Sequence, residues 1–196
     1  GVAGPVRING QYVKGDVYLP LATNEAALIA GVQRGVKAIN MSGGINTMVT
    51  FDGMTRAPMI EAPDIYSARK IIDDLKDPEF LRELGKYIKD PFVRLEEIKC
   101  YQLGTKVIMR MLCKTGDAMG MNGVTKASAD ITRAILAKYP DFKLVNISSN
   151  VCTDKKNSHI NILEGRGKSA QAEVFIPEEV LAKVFKKGVT SRSVEK

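Results

Sequence analysis

The 196-residue sequence is poor in metal ligands and in disulfide partners: it has three cysteines, Cys100, Cys113 and Cys152, and one histidine, His159. These thiols and the one imidazole are widely spaced and show no paired zinc-ligand spacing, so no structural metal is expected. An odd number of thiols without obvious pairing suits a reducing compartment, and a cytoplasmic protein is expected. No apolar run approaches the roughly 18 to 20 residues of a membrane helix. Gly1 to Pro5 carry no charged leader, so a soluble chain without a membrane segment is expected. The absence of internal repeats and low-complexity tracts excludes solenoids and disordered linkers. The sequence begins at Gly1 and reads like the middle of something longer.

What is present fits one folded unit or two small ones: 44% of residues are hydrophobic and 26% charged. The net charge of +7 and pI near 9.3 favour polyanionic partners. Nucleic acid, acidic membranes and phosphorylated cofactors all satisfy that preference.

Alternation at Asp16 to Leu19 predicts a strand, and Thr23 or Asn24 can cap a helix starting near Glu25. Leu28, Val32 and Val36 recur every four residues as its expected buried face, with Gln33, Arg34 and Lys37 opposite. Thr47 to Phe51 reads as a strand that ends in a turn at Asp52-Gly53. A second alternation then runs from Met59 to Ile147. It has a short strand at Met59 to Ala62, helices over Ser67 to Leu75 and Pro78 to Ile88, and a hairpin of Arg94 to Leu103 with Lys106 to Cys113. A helix over Asn122 to Lys138 and a strand over Phe142 to Ile147 complete it. The order βαββαβ predicts a ferredoxin-like arrangement inserted into a larger domain. The expected fold class is therefore α+β (α/β). The larger domain is expected at 1–57 and 147–196, and the inserted part at 58–146. Gln171 to Ile176 reads as a further strand, and Pro177 to about Lys187 as a helix.

Thr115 to Asn122 lies between a strand and a long helix, where backbone N–H groups and the helix dipole favour an anion; the plainer reading is a turn and a cap. Ser148 to Lys156 sets an acid, Asp154, beside Lys155 and Lys156. A lysine held near a carboxylate can stabilise an oxyanion formed by hydride addition, and the plainer reading is a solvated turn. Glu164-Gly165-Arg166-Gly167-Lys168-Ser169 invites a phosphate-loop reading, but its glycines are too close together. Glu25 at a helix start can simply offset the dipole, Arg56 can hold a carboxylate or close a turn, and His159 reads as a structural or surface residue.

Taken together, Gly1 to Pro5, Leu21 to Glu25, Asp52 to Arg56, Gly116 to Asn122, Cys152 to Lys156 and Glu164 to Ser169 resemble hydroxymethylglutaryl-coenzyme A (HMG-CoA) reductases. Their order and spacing are close to the family's across essentially all 196 residues, nearest its eukaryotic and archaeal branch. The resemblance implies reduction of HMG-CoA to mevalonate and coenzyme A by two hydrides from NADPH, with NADH possible. It implies catalytic roles for Glu25 as proton donor and Lys155 as the cation at the carbonyl oxygen. Arg56, Ser148, Asp154 and Lys156 would hold the acyl part, and Arg34, Lys37 and Lys186 would lie near the coenzyme A phosphates. Asp117, Ala118, Met119, Gly120, Met121 and Asn122 would form the cofactor loop. Asp90 and Pro91 stand where many NADPH-using relatives carry Ser-Arg, with Lys86, Lys89 and Arg94 nearby. The family's remaining catalytic aspartate and histidine would lie downstream of this region, so the 196 residues alone are expected to be inactive. Active sites between subunits imply a homodimer or higher oligomer. Two other classes compete: a non-catalytic coenzyme A or nucleotide-binding fragment, and a basic nucleic-acid binder. The latter is disfavoured because Arg94 to Cys113 lacks exposed aromatic pairs on which bases stack.

Overall fold

A computed structural model describes residues 1–185, which form a mixed α+β fold in two compact units. One comprises Gly1–Thr50 with the described residues from Ala170 onward; the other is Phe51–Ser169. Among the described residues no helix is long and apolar enough to cross a membrane.

In the first unit, β1 (Val2–Gly10) pairs antiparallel with β2 (Lys14–Pro20) and parallel with the first residues of β3 (Ile45–Arg56). A register shift between Ala3 and Val6 takes Gly4 out of the ladder with β2. Helix α1 (Ala26–Met41) supplies the missing partners from its side chains. Gln33 Oε1 accepts from Gly4 N at 2.7 Å and its Nε2 donates to Gly4 O at 3.2 Å. Asn40 likewise accepts from Arg7 N and donates to Pro5 O, both at 2.8 Å. The helix face that meets β1 is therefore the row of Gln33, Val36 and Asn40. This corrects the expected apolar face: Val36 is buried, but Leu28 is 53% exposed and Val32 38% exposed. Four-residue spacing alone could not rank a stripe that packs by hydrogen bonding above one that packs by burial. Strand β8 (Gly167–Glu173) adds to β3, with Asn46 donating to Glu173 at 3.3 Å, and α6 (Glu178–Val184) follows.

The second unit continues from β3 into β4 (Met59–Glu61), α2 (Ile65–Asp74), α3 (Pro78–Gly85), β5 (Arg94–Leu103), β6 (Lys106–Lys114), α4 (Met121–Lys138) and β7 (Lys143–Asn146). The strands pair in the order β5-β6-β4-β7, every pair antiparallel. A 3-10 turn at Asn150–Cys152 and α5 (His159–Glu164) follow. Asp64 caps α2, accepting from Tyr66 N and Ser67 N at 2.8 Å each.

β3 runs without a break through Asp52-Gly53, where the sequence predicts a turn. Asp52 is held there by Lys168 Nζ at 2.8 Å, and Gly53 sits under Leu112, where a Cβ would collide with the Leu112 side chain.

The core of this unit lies between the sheet and its helices. From β6 it takes Val107, Met109 and Met111; from α2, Ala68, Ile71 and Ile72; from α3, Phe80 and Leu84; and from α4, Ile131 and Ile135. The period of two sends Ile108 and Arg110 of β6 to the opposite face, where Ile108 packs on Ala57 and Cys152. Both faces of β6 are therefore covered.

Two stability outcomes follow, both readable by chemical denaturation. Ile131→Ala, at a fully buried position, loses about 2–5 kcal/mol. Asn40→Ala, which strips two bonds from β1, loses about 1–3 kcal/mol, whereas Leu28→Ala stays within about 0.5 kcal/mol. A larger loss at Leu28 than at Asn40 would restore the apolar-face reading.

Candidate active site

The segment between β6 and α4 is shaped by glycine. Gly116 has φ +58° and Gly120, the residue that caps α4, has φ +85°, a region costly for a side chain. A Cβ at Gly120 would also drive into the Thr115 side chain, whose hydroxyl donates to Ala118 O at 2.8 Å. Gly120 O accepts from Val124 N at 2.8 Å, joining the loop directly to the first turn of an 18-residue helix. Its dipole therefore points at the loop.

A cavity of about 750 Å³ opens over this loop. Residues 115–123, with Asp117, Ala118, Met119, Gly120, Met121 and Asn122 among them, form one wall, Asp90 and Val93 another, and Lys155 a third. Asp90 is fixed by accepting from Phe92 N at 3.0 Å. A Cβ on Gly123 would meet Val93 at 2.8 Å and Asp90 Oδ2 at 3.0 Å, so this glycine lets α4 approach the Asp90 turn. Arg94 is not in the lining: it bonds Glu96 at 2.7 Å and, with Lys86, borders a different cavity of about 540 Å³.

Beside the loop, Arg56 at the end of β3 is 12% exposed in its side chain and spreads its guanidinium over several partners. It donates to Thr125 Oγ1 at 2.7 and 3.1 Å, to Ser148 Oγ at 3.1 Å and to Cys152 Sγ at 3.4 Å, and stands 3.9 Å from Asp154. A second guanidinium closes on Asp154 from the other direction: Arg166 Nη2 is 2.8 Å from Oδ1 and 3.0 Å from Met121 Sδ. Two largely desolvated arginines thus flank one carboxylate, an arrangement with surplus positive charge. Arg166 and Thr125 are the functional candidates the sequence reading missed. Thr125 falls four residues after Met121, one turn into α4, which was the available signal.

The loop bearing Lys155 has an unusual backbone. Thr153 (φ 49°) and Lys155 (φ 56°) both take the left-handed conformation, which is uncommon for such residues and needs support from its surroundings. Asn161 on α5 supplies it: its Oδ1 accepts from Thr153 Oγ1 at 2.6 Å and its Nδ2 donates to Lys156 O at 3.1 Å. Lys155 and Lys156 are themselves exposed. Lys168 ties the glycine loop to β3, donating to Gly116 O at 2.9 Å and to Asp52 at 2.8 Å; this bond holds the Asp52 carboxyl below its usual range.

The structure therefore gathers Arg56, Ser148, Asp154 and Lys155 around the glycine loop within the second unit. Glu25 lies in the first unit as the N-cap of α1; its side chain caps nothing, and Thr23 Oγ1 accepts from its N–H at 3.1 Å. Arg34 and Lys37 line a cavity of about 490 Å³ along α1 with Pro5, Asn40 and Val184. Lys186 falls outside the described residues. All three cysteines are free thiols, and burial pushes Cys100 and Cys113 up to about 12.

Known proteins share this sequence and architecture. Residues 1–194 match the family model for hydroxymethylglutaryl-coenzyme A reductase. A 3-hydroxy-3-methylglutaryl-coenzyme A reductase of Aeropyrum pernix is 47% identical over 188 residues, 95% of this chain and 44% of its own length. That of Pyrococcus abyssi is 41% identical over 187 residues, 95% of this chain and 46% of its own. The chain thus spans less than half the length of these curated relatives. A Streptococcus pneumoniae class II reductase solved with NADPH superposes with a TM-score of 0.65 at 18% identity, over 93% of this chain and 47% of that one, a likeness of fold. A match across nearly every residue, joined to archaeal relatives more than 40% identical, establishes that this chain belongs to the hydroxymethylglutaryl-coenzyme A reductase family.

Proposed function

We propose that this chain carries the hydride-transfer centre of an enzyme that reduces HMG-CoA to mevalonate and coenzyme A. The observation that carries the reading is that Lys155 borders the same cavity as the glycine loop at the start of α4. The residues suit a dinucleotide: two left-handed glycines shape the loop, and a long helix directs its positive end at bound phosphate. A reduced nicotinamide bound there supplies hydride. NADPH is the proposed cofactor, with NADH accepted.

The chain's own residues have distinct tasks. Lys155 places its ammonium against the thioester oxygen and stabilises the negative charge that develops there. Asp154, fixed between Arg56 and Arg166, and Asn161, bonded to Thr153 and Lys156, hold the loop that carries the lysine. Arg56, Ser148, Asp154 and Lys156 hold the acyl part, whose carboxylate suits the surplus positive charge. Glu25 is the proton donor to the reduced carbonyl. Arg34, Lys37 and Lys186 take the coenzyme A phosphates. Residues 58–146 act as a ferredoxin-like cofactor-binding insert in a substrate-binding domain of residues 1–57 and 147–196. The order β5-β6-β4-β7, with helices before and after the central hairpin, supports this. The working enzyme is a homodimer or higher oligomer.

Four substitutions have distinct expected outcomes in a family-length protein containing this chain. Lys155→Ala lowers kcat about a hundredfold or more with little change in substrate KM, and Lys156→Ala acts mainly on KM; near-normal turnover in Lys155→Ala would remove its role. Gly120→Ala, strained and colliding with Thr115, raises the KM for the dinucleotide at least tenfold while leaving substrate KM near the parent value. Asp90→Ser removes a negative charge from the cavity wall and raises kcat/KM for NADPH relative to NADH by about tenfold. An unchanged cofactor ratio would show that the 2′-phosphate lies away from Asp90.

A further inference from the structure

The Glu164 to Lys168 motif has the wrong spacing for a phosphate loop, and its first two residues are not among those lining the glycine-loop cavity. Arg110 rises from the centre of β6 on the face opposite the hydrophobic core, with its side chain only 2% exposed. Its Nη1 is 3.2 Å from Glu164 Oε2 and its Nη2 donates to Gly165 O at 2.8 Å; its Nε has no partner among the described residues. The other Glu164 oxygen accepts from Tyr101 OH at 2.8 Å, and Lys99 Nζ stands 3.6 Å from the carboxylate. Three side chains of the β5–β6 hairpin thus grip one residue at the end of α5. Gly165 turns immediately afterwards at φ +75°, against the Phe51 ring, and Arg166 leaves in the direction of Asp154.

A buried arginine with an unpaired nitrogen is a poor source of stability, since well-packed apolar side chains in its place would often hold the fold as well or better. What it does provide is a fixed origin. A charge-assisted pair, a bond to the Gly165 carbonyl and a tyrosine donor together define where the chain turns, and therefore where the Arg166 guanidinium starts. Tyr101 stays a donor throughout: burial and the Glu164 carboxylate push its phenol up to about 12.

We propose that Glu164 and Arg110 are positioning residues for the reaction centre: they fix Arg166, which holds Asp154 and so, together with Asn161, the left-handed residues Thr153 and Lys155 on either side of it. Neither touches substrate or cofactor. The inference rests on Lys155 standing at the reaction centre as proposed above, so its test includes a measurement independent of turnover.

The variants are Glu164→Gln and the double replacement Arg110→Met/Glu164→Leu in a family-length protein, compared with the parent for thermal stability, kinetics and amide hydrogen exchange. Glu164→Gln keeps the shape but removes the charge. It is expected to lower kcat about tenfold or more with the dinucleotide KM unchanged, and to speed exchange at residues 153–158 without speeding it at 116–123. The double replacement is expected to restore the melting temperature while kcat stays low and exchange at 153–158 stays fast. Return of kcat and slow exchange together with stability would reduce the cluster to a structural role and overturn the proposal. Unchanged exchange at 153–158 in both variants would overturn it as well, and this result is decisive even if the parent reduced no HMG-CoA, which would defeat the proposed activity separately.

Discussion

The contact between Arg166 and Asp154 is the constraint on which the candidate site depends. It joins the strand that follows α5 to the loop after β7, and its guanidinium also reaches Met121 at the first residue of α4. One side chain therefore registers three segments: the lysine loop, the start of the helix and the chain leaving α5. Both groups are largely desolvated, with side chains 11% and 26% exposed, so the pair is stronger than a surface ion pair, and removing either partner would leave a charge poorly compensated. Arg56 at 3.9 Å adds a second positive charge beside Asp154, so the cluster carries surplus positive charge.

Strand β6 makes this geometry possible. Its period of two sends Val107, Met109 and Met111 into the helical layer and Ile108 and Arg110 to the other face, so one strand organises a dry core and a polar anchor. The helical layer fixes α4, and α4 presents the glycine loop and Thr125. The opposite face fixes the turn that carries Arg166. The glycine loop and the lysine loop of the second unit are thus referred to the same strand.

Much of this was legible in the sequence and some was not. The hairpin from Arg94 to Lys114, the long helix to Lys138 and the start of α3 at Pro78 follow from local periodicity and turn chemistry, because those elements pack by the pattern that defines them. The face of α1 was misread because Gln33 and Asn40 pack by hydrogen bonding to β1, where hydrophobicity carries no signal. The break at Asp52-Gly53 was misread because a dipeptide typical of hairpin turns is here held extended by Lys168 and Leu112, both distant in sequence. Of the site, Arg56, Ser148, Asp154 and Lys155 were anticipated as a group through family resemblance. Arg166 is not legible as a site residue because spacing within its motif does not reveal an acid 12 residues upstream.

The central claim is that the glycine loop and Lys155 border a single cofactor cavity, and backbone amide resonances of the chain titrated with NADPH test it most directly. Saturable shifts at Gly116 to Gly123 and at Lys155, following one binding curve, are the predicted result. Shifts confined to other parts of the chain, or movement of the glycine loop with Lys155 unaffected at saturation, would contradict it.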